Sequence, residues 1–299
     1  MPAWSRRHLL SASLAAGAGL CTPLSGRAAT PRALPRFPVG VCDWMILKRQ
    51  KLGAFKLASE IGADGVEVDM GGLGDRPTFD NKLADAAVRE QFLAEADTLG
   101  LRISSLAMSG FYAQSFAERE GIDRVVQDTI DTAVMMGVKT IFLPLGVRSD
   151  LAAHPELQPA VVGRLREAGR RADDAGVTIG IETALDAAGE AALLDEIGFP
   201  AIRSYFNFAN ALQNGRDLHA ELRTLGRDRI CQIHASNQDG AWLEKDPAID
   251  LPAVKQTLDA LGWQGWLVVE RSRDAADARN VRGNFGANVR TLKRVFQPG

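Results

Sequence analysis

Cysteine is scarce in this chain of 299 residues, and two positions outside the N-terminal region are too few for a disulfide framework. Cys21 lies near the N-terminus, whereas Cys42 and Cys231 are separated by most of the chain. Both of the latter lie in apolar runs, which favours buried free thiols. A strong excess of one charge is also missing. The formal net charge of −2 provides no general attraction to nucleic acid, so the composition argues against a nucleic-acid partner.

Long apolar runs are missing from the body of the chain, so the sequence predicts no membrane-spanning helix there. The N-terminus differs. It reads SRRHLLSASLAAGAGL, with Arg6 and Arg7 before a short stretch of Leu, Ala and Gly, and then the small residues of SGRAAT. This layout is typical of a secretory signal, and the paired arginines favour the Tat type. We expect a signal peptide in residues 1–28, a linker in 29–36, one domain in 37–299, and a periplasmic or secreted protein. A disordered basic tail is the alternative.

A rhythm of helix, glycine and apolar run repeats along the body. Examples are MMGVKTIFLPLG, DAGVTIGIET and ALGWQGWLVVERS. Glycine just after a helix adopts the left-handed cap conformation without steric cost. The apolar runs are nearly continuous, as expected for parallel strands covered by helices. Eight strands are predicted: Phe37–Trp44, Gly65–Met70, Arg102–Met108, Lys139–Gly146, Val177–Thr183, Ile202–Phe208, Ile230–Ala235 and Trp266–Ser272.

Segments with apolar residues at three- and four-residue spacing separate these strands, most clearly LADAAVREQFLAEADTLG and IDRVVQDTIDTAVMMG. Strands that alternate with helices imply a parallel sheet. Eight such units in about 260 residues predict the α/β fold class, in the form of a single closed (β/α)₈ barrel. An open doubly wound sheet is the alternative, but no G-x-G-x-x-G turn follows the first strand.

In such a barrel the chemistry lies at the carboxyl ends of the strands. Four successive predicted strands each carry one donor near their end, in IGIET, YFNFAN, CQIHASN and LVVERS: Glu182, Asn207, His234 and Glu270. Taken singly, each has an ordinary structural explanation, such as an ion pair, a loop cap or a hydrogen-bonded histidine. Because neighbouring strands lie about 4.8 Å apart, the four side chains are expected to converge. Two carboxylates, an amide oxygen and an imidazole suit Mn²⁺, Mg²⁺, Co²⁺ or Zn²⁺.

These motifs resemble the xylose isomerase-like TIM barrel superfamily, the sugar phosphate isomerase/epimerase group that includes the AP endonucleases. The resemblance covers about residues 37 to 296. The stretches that carry it are YFNFAN with NGRD, IHASN, VVE, IGIET and GADGVEV. It implies a divalent metal, Mn²⁺ first, held by Glu182, Asn207, His234 and Glu270. Relatives have Asp where this chain has Asn207, so we expect a weaker metal site, or one tuned to a different metal; loss of the metal is the alternative.

The resemblance also implies a sugar isomerase or epimerase that removes a proton beside a carbonyl through an enediolate, with Glu182 and Glu270 as the acid/base pair. Candidate hydroxyl partners are Glu67, Asn210 and Asn237, and Trp44 or Phe111 is expected to cover the apolar face of the sugar.

Export from the cytoplasm favours a non-phosphorylated sugar or keto-sugar as the small-molecule partner. The sequence does not determine whether the protein forms a homo-oligomer. A lyase or hydrolase acting on an oxidised sugar or glycoside, and a non-catalytic sugar-binding barrel, are the alternatives. An endonuclease site would need more histidines than the four in this chain.

Overall fold

Eight parallel strands close into a barrel in chain order, which confirms the predicted α/β barrel. The structure is a computed structural model and describes residues 34–298, so the predicted signal in residues 1–28 lies outside the described residues. The strands are β1 (Val39–Cys42), β2 (Gly65–Asp69), β3 (Arg102–Ala107), β4 (Thr140–Pro144), β5 (Thr178–Glu182), β6 (Ile202–Asn207), β7 (Ile230–His234) and β8 (Leu267–Val269).

Amphipathic helices follow the strands and cover the outside of the barrel. They are α1 (Gly53–Glu60), α2 (Ala86–Thr98), α3 (Ile122–Met136), α4 (Gln158–Ala175), α5 (Ala187–Ile197), α6 (Phe208–Gln213), α7 (Leu218–Arg229), α8 (Leu251–Ala260) and α9 (Val281–Phe296). Their buried faces pack on the strands to form one large apolar core, and a smaller apolar cluster of Ala107, Phe142 and Tyr205 is separate from it. Within residues 34–298, no helix combines the length and apolar character needed to cross a membrane.

The glycines of the repeating rhythm adopt the conformation that the sequence predicts. Gly137, Gly176 and Gly198 end α3, α4 and α5 with φ of 66°, 64° and 74°. A residue with a Cβ is strained at such angles, which is why glycine stands at these three helix ends. One glycine differs in its place: Gly226 has φ 69° inside α7, where it breaks the helix before Arg229 rather than ending it.

Several strand ends differ from the prediction, and two of the differences matter for function. The eighth strand was expected to run through Ser272, but β8 ends at Val269. The backbone N–H of Glu270 donates to Ser236 Oγ at 3.2 Å, so a side chain takes the place of the ladder partner. The sixth strand was expected to run through Phe208, but β6 ends at Asn207 and the chain enters the short helix α6 there.

The strand register places the carboxyl ends of neighbouring strands at the same height in the barrel. Asn207 pairs with His234 across β6 and β7, and Pro144 pairs with Glu182 across β4 and β5. Glu270 lies just beyond the end of β8, and His234 pairs with Val268 of that strand. The register therefore brings the last residues of β5, β6 and β7 and the first residue after β8 to one end of the barrel.

Candidate active site at the carboxyl end of the barrel

The four side chains expected at consecutive strand ends lie together. Glu182, Asn207 and His234 are the last residues of β5, β6 and β7, and Glu270 follows β8. One ligand atom from each of Glu182, His234 and Glu270 lies within 4.8 Å of the others, and the three side chains are at most 8 % exposed. His234 Nδ1 lies 3.0 Å from Glu182 Oε2 and 3.7 Å from Glu270 Oε2.

Asn207 joins this cluster through its amide nitrogen. Nδ2 donates to Glu182 Oε2 at 3.0 Å and to Glu270 Oε2 at 3.2 Å. The amide oxygen accepts from the backbone N–H of Ala209 at 2.9 Å and so caps the first turn of α6. In this orientation the amide presents a hydrogen-bond donor, not a metal ligand, to the two carboxylates.

A tyrosine closes the opposite side of the carboxylate pair. The hydroxyl of Tyr112 donates to Glu270 Oε1 at 2.8 Å and lies 3.4 Å from Glu182 Oε1. Tyr112 ends the 3₁₀ turn Ser109–Tyr112 that follows β3. A close approach holds this turn in place, because a Cβ at Gly146 would lie 2.5 Å from the Tyr112 Cα. The pair is thus contacted by Asn207 and His234 on its Oε2 side and by Tyr112 on its Oε1 side.

Burial sets the protonation chemistry of the cluster. Burial, and then the negative charge of Glu270, raise the pKa of Glu182 above its usual range, although its contact with His234 opposes the shift. For His234 burial disfavours the charged ring, but the charges of Glu270 and Glu67 outweigh it and raise the pKa well above the usual value. Burial and the two nearby carboxylates also raise the pKa of the Tyr112 phenol, so its hydroxyl stays a donor at neutral pH. A carboxyl with a raised pKa accepts a proton from carbon more readily than an ordinary one.

A second group of polar side chains lies deeper in the barrel, on the other side of the His234 ring. His234 Nε2 lies 3.4 Å from Glu67 Oε1 and 3.7 Å from Cys42 Sγ. Cys42 ends β1 and Glu67 lies in β2, and both are fully buried. Burial, followed by the charge of Glu67, raises the pKa of Cys42 well above its usual value, so this cysteine is a neutral thiol.

Of the two aromatic residues expected to cover the sugar, Trp44 packs beside the cluster through Phe142. Its ring stacks on Phe142 with centroids 6.3 Å apart, and Phe142 in turn packs against Tyr112. The neighbouring Phe111, the other aromatic residue considered, is fully buried between Phe79 and Phe116 and does not line this cluster.

Three polar residues expected to contact a substrate are engaged elsewhere. Asn210 donates to the Thr183 carbonyl at 3.0 Å, and Asn237 donates to Asp246 at 2.8 Å. Both bonds organise the loops around the cluster. Glu67 is 0 % exposed beneath His234, a place that suits contact with the histidine rather than with a sugar hydroxyl. Their substrate contacts stay predictions.

Sequence reasoning missed Tyr112 and the pairing of Glu67 with His234. The signal for Tyr112 is the dipeptide Phe111-Tyr112 just after β3, where the polar member of the pair suits a site and the apolar member suits the core. The position of Glu67 in the middle of an apolar strand was visible, but the identity of its partner depends on contacts across the barrel.

Comparison with known proteins supports the fold and indicates a class of activity for its relatives. A family model described as "Xylose isomerase-like TIM barrel" matches residues 55–295. A 2-epi-5-epi-valiolone 7-phosphate 2-epimerase from an Actinoplanes species is 29 % identical over 197 residues, which span 64 % of this chain and 70 % of that protein.

Two solved structures share the architecture at low sequence identity. D-psicose 3-epimerase from Clostridium cellulolyticum H10 has a TM-score of 0.69 at 13 % identity and covers 87 % of this chain and 99 % of its own. A 3-keto-D-glucoside 4-epimerase from E. coli has a TM-score of 0.65 at 18 % identity, with 85 % and 99 % covered.

Proposed function

Because the chain belongs to the xylose isomerase-like TIM barrel family, we propose that it is a sugar epimerase or isomerase that moves a proton at a carbon beside a carbonyl. One observation carries the proposal: Oε1 of Glu182 and Oε1 of Glu270 both contact a single hydroxyl, that of Tyr112. Two carboxylates that can meet at one small group suit a reaction in which one removes a proton and the other returns it. The epimerase activity of the Actinoplanes relative agrees with this class of reaction.

The donor set also fits a divalent cation, which we propose as the cofactor with Mn²⁺ first. Two carboxylates and one imidazole nitrogen within 4.8 Å of one another are ligand types that Mn²⁺, Mg²⁺, Co²⁺ and Zn²⁺ accept. Glu182, His234 and Glu270 would hold it. Asn207 would be a fourth ligand only with its amide turned, which would break the bond from Ala209. When bound, such a cation polarises a carbonyl oxygen and stabilises the negative charge that develops there.

The chain's own residues then perform the proton transfers. One glutamate removes the proton from the carbon beside the carbonyl, and the electrons of the broken C–H bond move toward the carbonyl oxygen to give an enediolate. The other glutamate donates a proton back to carbon from the opposite face, which inverts the centre. Return to the neighbouring carbon would instead interconvert an aldose and a ketose. The raised pKa of Glu182 suits this carboxylate to the first step.

We propose a non-phosphorylated sugar or keto-sugar as the substrate, and the periplasm or the cell exterior as the location. The location rests on the Tat-type sequence in residues 1–28. The substrate class follows from the location, because phosphorylated sugars belong mainly to the cytoplasm. The loop after β8 supports the substrate class. Arg273 there is paired with Asp239 through Nε at 3.0 Å, which reduces its capacity to bind a phosphate. Trp44 offers an apolar surface near the carboxylate pair for one face of the sugar.

Glutamine substitutions test the two acid/base roles. Glu182→Gln and Glu270→Gln should each abolish interconversion of free keto-sugars while the circular dichroism spectrum and thermal midpoint stay near those of wild type. Glu190→Gln is the matched control. Glu190 is also buried, but its Oε2 accepts from Thr183 at 2.8 Å and it takes no part in the cluster, so turnover should persist.

The competing functions give different results. Interconversion retained in both glutamine variants would contradict the assignment. Release of a fragment from an oxidised sugar would identify a lyase or hydrolase, and tight sugar binding without any turnover would identify a binding barrel.

A further inference from the structure

The two nitrogens of the His234 ring face different surroundings. Nδ1 faces the mouth of the barrel, where Glu182 Oε2 lies 3.0 Å away. Nε2 faces the interior, where Glu67 Oε1 lies 3.4 Å away and the neutral thiol of Cys42 lies 3.7 Å away. A neutral imidazole carries one proton, and the nitrogen without the proton is the one that can bind a metal.

The other carboxylate oxygen of Glu67, Oε2, accepts the last bonds of a directed chain of hydrogen bonds. The side-chain amide of Gln232 begins this chain: its Nε2 donates to Ser105 Oγ at 2.9 Å and to the Tyr205 hydroxyl at 2.7 Å. Because both hydroxyl oxygens already accept from Gln232, both are free to donate, and both donate to Glu67 Oε2. Among the described residues, none donates a hydrogen bond to Glu67 Oε1, so its nearest polar partner is His234 Nε2.

Packing keeps the ring in this position. The imidazole lies against Phe142 and Tyr205, with ring centroids 4.8 and 4.5 Å away, and its side chain is 0 % exposed. A ring packed against two aromatic neighbours in a close-packed interior cannot readily turn over to exchange its nitrogens.

We propose that Glu67 is a positioning residue that keeps the ring proton of His234 on Nε2, so that Nδ1 presents its lone pair to the cation site. This inference rests on the proposed metal site. The carboxylate is a stronger acceptor than the thiol of Cys42, and placing the proton on Nε2 gives the buried Oε1 its missing partner. A partner that orients a ligating histidine typically changes metal affinity by about 10–100-fold when it is removed.

Glu67→Gln separates this role from simple packing. The hydroxyls of Ser105 and Tyr205 require an acceptor, so the amide oxygen should take the place of Oε2 and the amide N–H should face His234. The ring must then accept at Nε2 and carry its proton on Nδ1, which turns an N–H toward the cation site. The substitution therefore keeps the shape of side chain 67 but removes from His234 Nδ1 the lone pair that a metal needs.

The test measures Mn²⁺ affinity of the purified protein by calorimetry and the ring protonation of His234 by ¹⁵N NMR, with Zn²⁺ as a diamagnetic replacement. Glu67→Gln should bind Mn²⁺ at least about tenfold more weakly than wild type. Ser105→Ala is the matched control, because it removes one hydrogen bond to Oε2 and leaves Oε1 facing the ring. Its affinity should stay near that of wild type, and zinc-loaded wild type should carry the ring proton on Nε2.

Equal Mn²⁺ affinity in folded Glu67→Gln and Ser105→Ala would overturn the inference, and so would a ring proton on Nδ1 in zinc-loaded wild type. If wild type binds neither metal, the proposed cofactor fails separately. The NMR spectrum of the metal-free protein, recorded at a pH where the ring carries a single proton, then decides the positioning role, since that proton on Nε2 supports it and that proton on Nδ1 contradicts it.

Discussion

Replacing Asn207 by aspartate should lower the stability of the metal-free protein and raise its affinity for Mn²⁺. Aspartate can still accept from the backbone N–H of Ala209 and cap α6. Its second oxygen, however, would face Glu182 Oε2 and Glu270 Oε2, where Nδ2 now donates at 3.0 and 3.2 Å. The substitution therefore exchanges two favourable hydrogen bonds to buried carboxylates for contacts between like charges.

The size of the effect follows from these two contacts. A hydrogen bond to a charged group contributes about 1.5–3 kcal/mol, and two unit charges 4 Å apart interact by about 4 kcal/mol at an effective dielectric constant of 20. Protonation of the new carboxyl relieves part of this cost, so we expect a net loss of about 3 kcal/mol. For a domain of this size that loss lowers the thermal midpoint by roughly 6–12 °C in the presence of EDTA.

Mn²⁺ should reverse the loss, because aspartate adds one negative charge to the ligand set. We expect Mn²⁺ affinity at least about tenfold above wild type, which corresponds to about 1.4 kcal/mol. Thermal unfolding with EDTA and with a Mn²⁺ series measures both effects. Asn210→Asp is the matched control, since the Asn210 amide donates to the Thr183 carbonyl and not to the carboxylate pair. Its midpoint should not depend on Mn²⁺ more strongly than that of wild type.

An Asn207→Asp protein that unfolds in EDTA at or above the wild-type midpoint would contradict the expected loss of stability. A Mn²⁺-induced rise of equal size in wild type and Asn207→Asp would contradict the expected gain in affinity, because the added charge would then contribute nothing to binding.

Two further predictions concern single side chains near the site. Tyr112→Phe removes the hydroxyl that contacts both glutamates, so denaturant titration should show a loss of about 1–3 kcal/mol and steady-state kinetics a lower kcat/KM; unchanged stability and kinetics would contradict the role given to Tyr112. Burial raises the pKa of Glu190 to about 7, above the ordinary value of 4.5, so this carboxyl destabilises the fold as pH rises from about 5 to 7. Glu190→Gln should therefore gain stability relative to wild type by up to about 3 kcal/mol between pH 5 and pH 8, and a pH-independent difference between the two proteins would contradict the assignment.

The sequence was sufficient for the barrel and for the convergence of the four strand ends. Near-continuous apolar runs and helix-ending glycines are local signals, and the closed parallel sheet follows from their number and order. Once the strands are in chain order, Glu182 and His234 must lie near each other, because they end strands on either side of β6.

The finer geometry of the site depends on contacts that the sequence does not display. The amide of Asn207 has its orientation because α6 begins at Phe208 and needs a cap, whereas the sequence predicted that the strand continues through Phe208. Glu67 contacts His234 through the barrel interior, at a position that depends on the register of β1 with β2 and on packing across the barrel. Tyr112 rather than Phe111 lies at the site because Phe111 packs against Phe79 and Phe116, and these contacts cannot be read from the sequence.

The reaction proposed for this protein removes and returns a proton at a sugar carbon through Glu182 and Glu270. The most direct measurement is turnover of a panel of free and phosphorylated keto-sugars in deuterium oxide, with NMR of the recovered sugars. Deuterium should enter a free sugar at the inverted centre, or at the carbon that receives the proton, and Glu182→Gln and Glu270→Gln should abolish this incorporation. Interconversion by wild type without any deuterium at these carbons, or incorporation that persists in both variants, would rule out the proposed reaction.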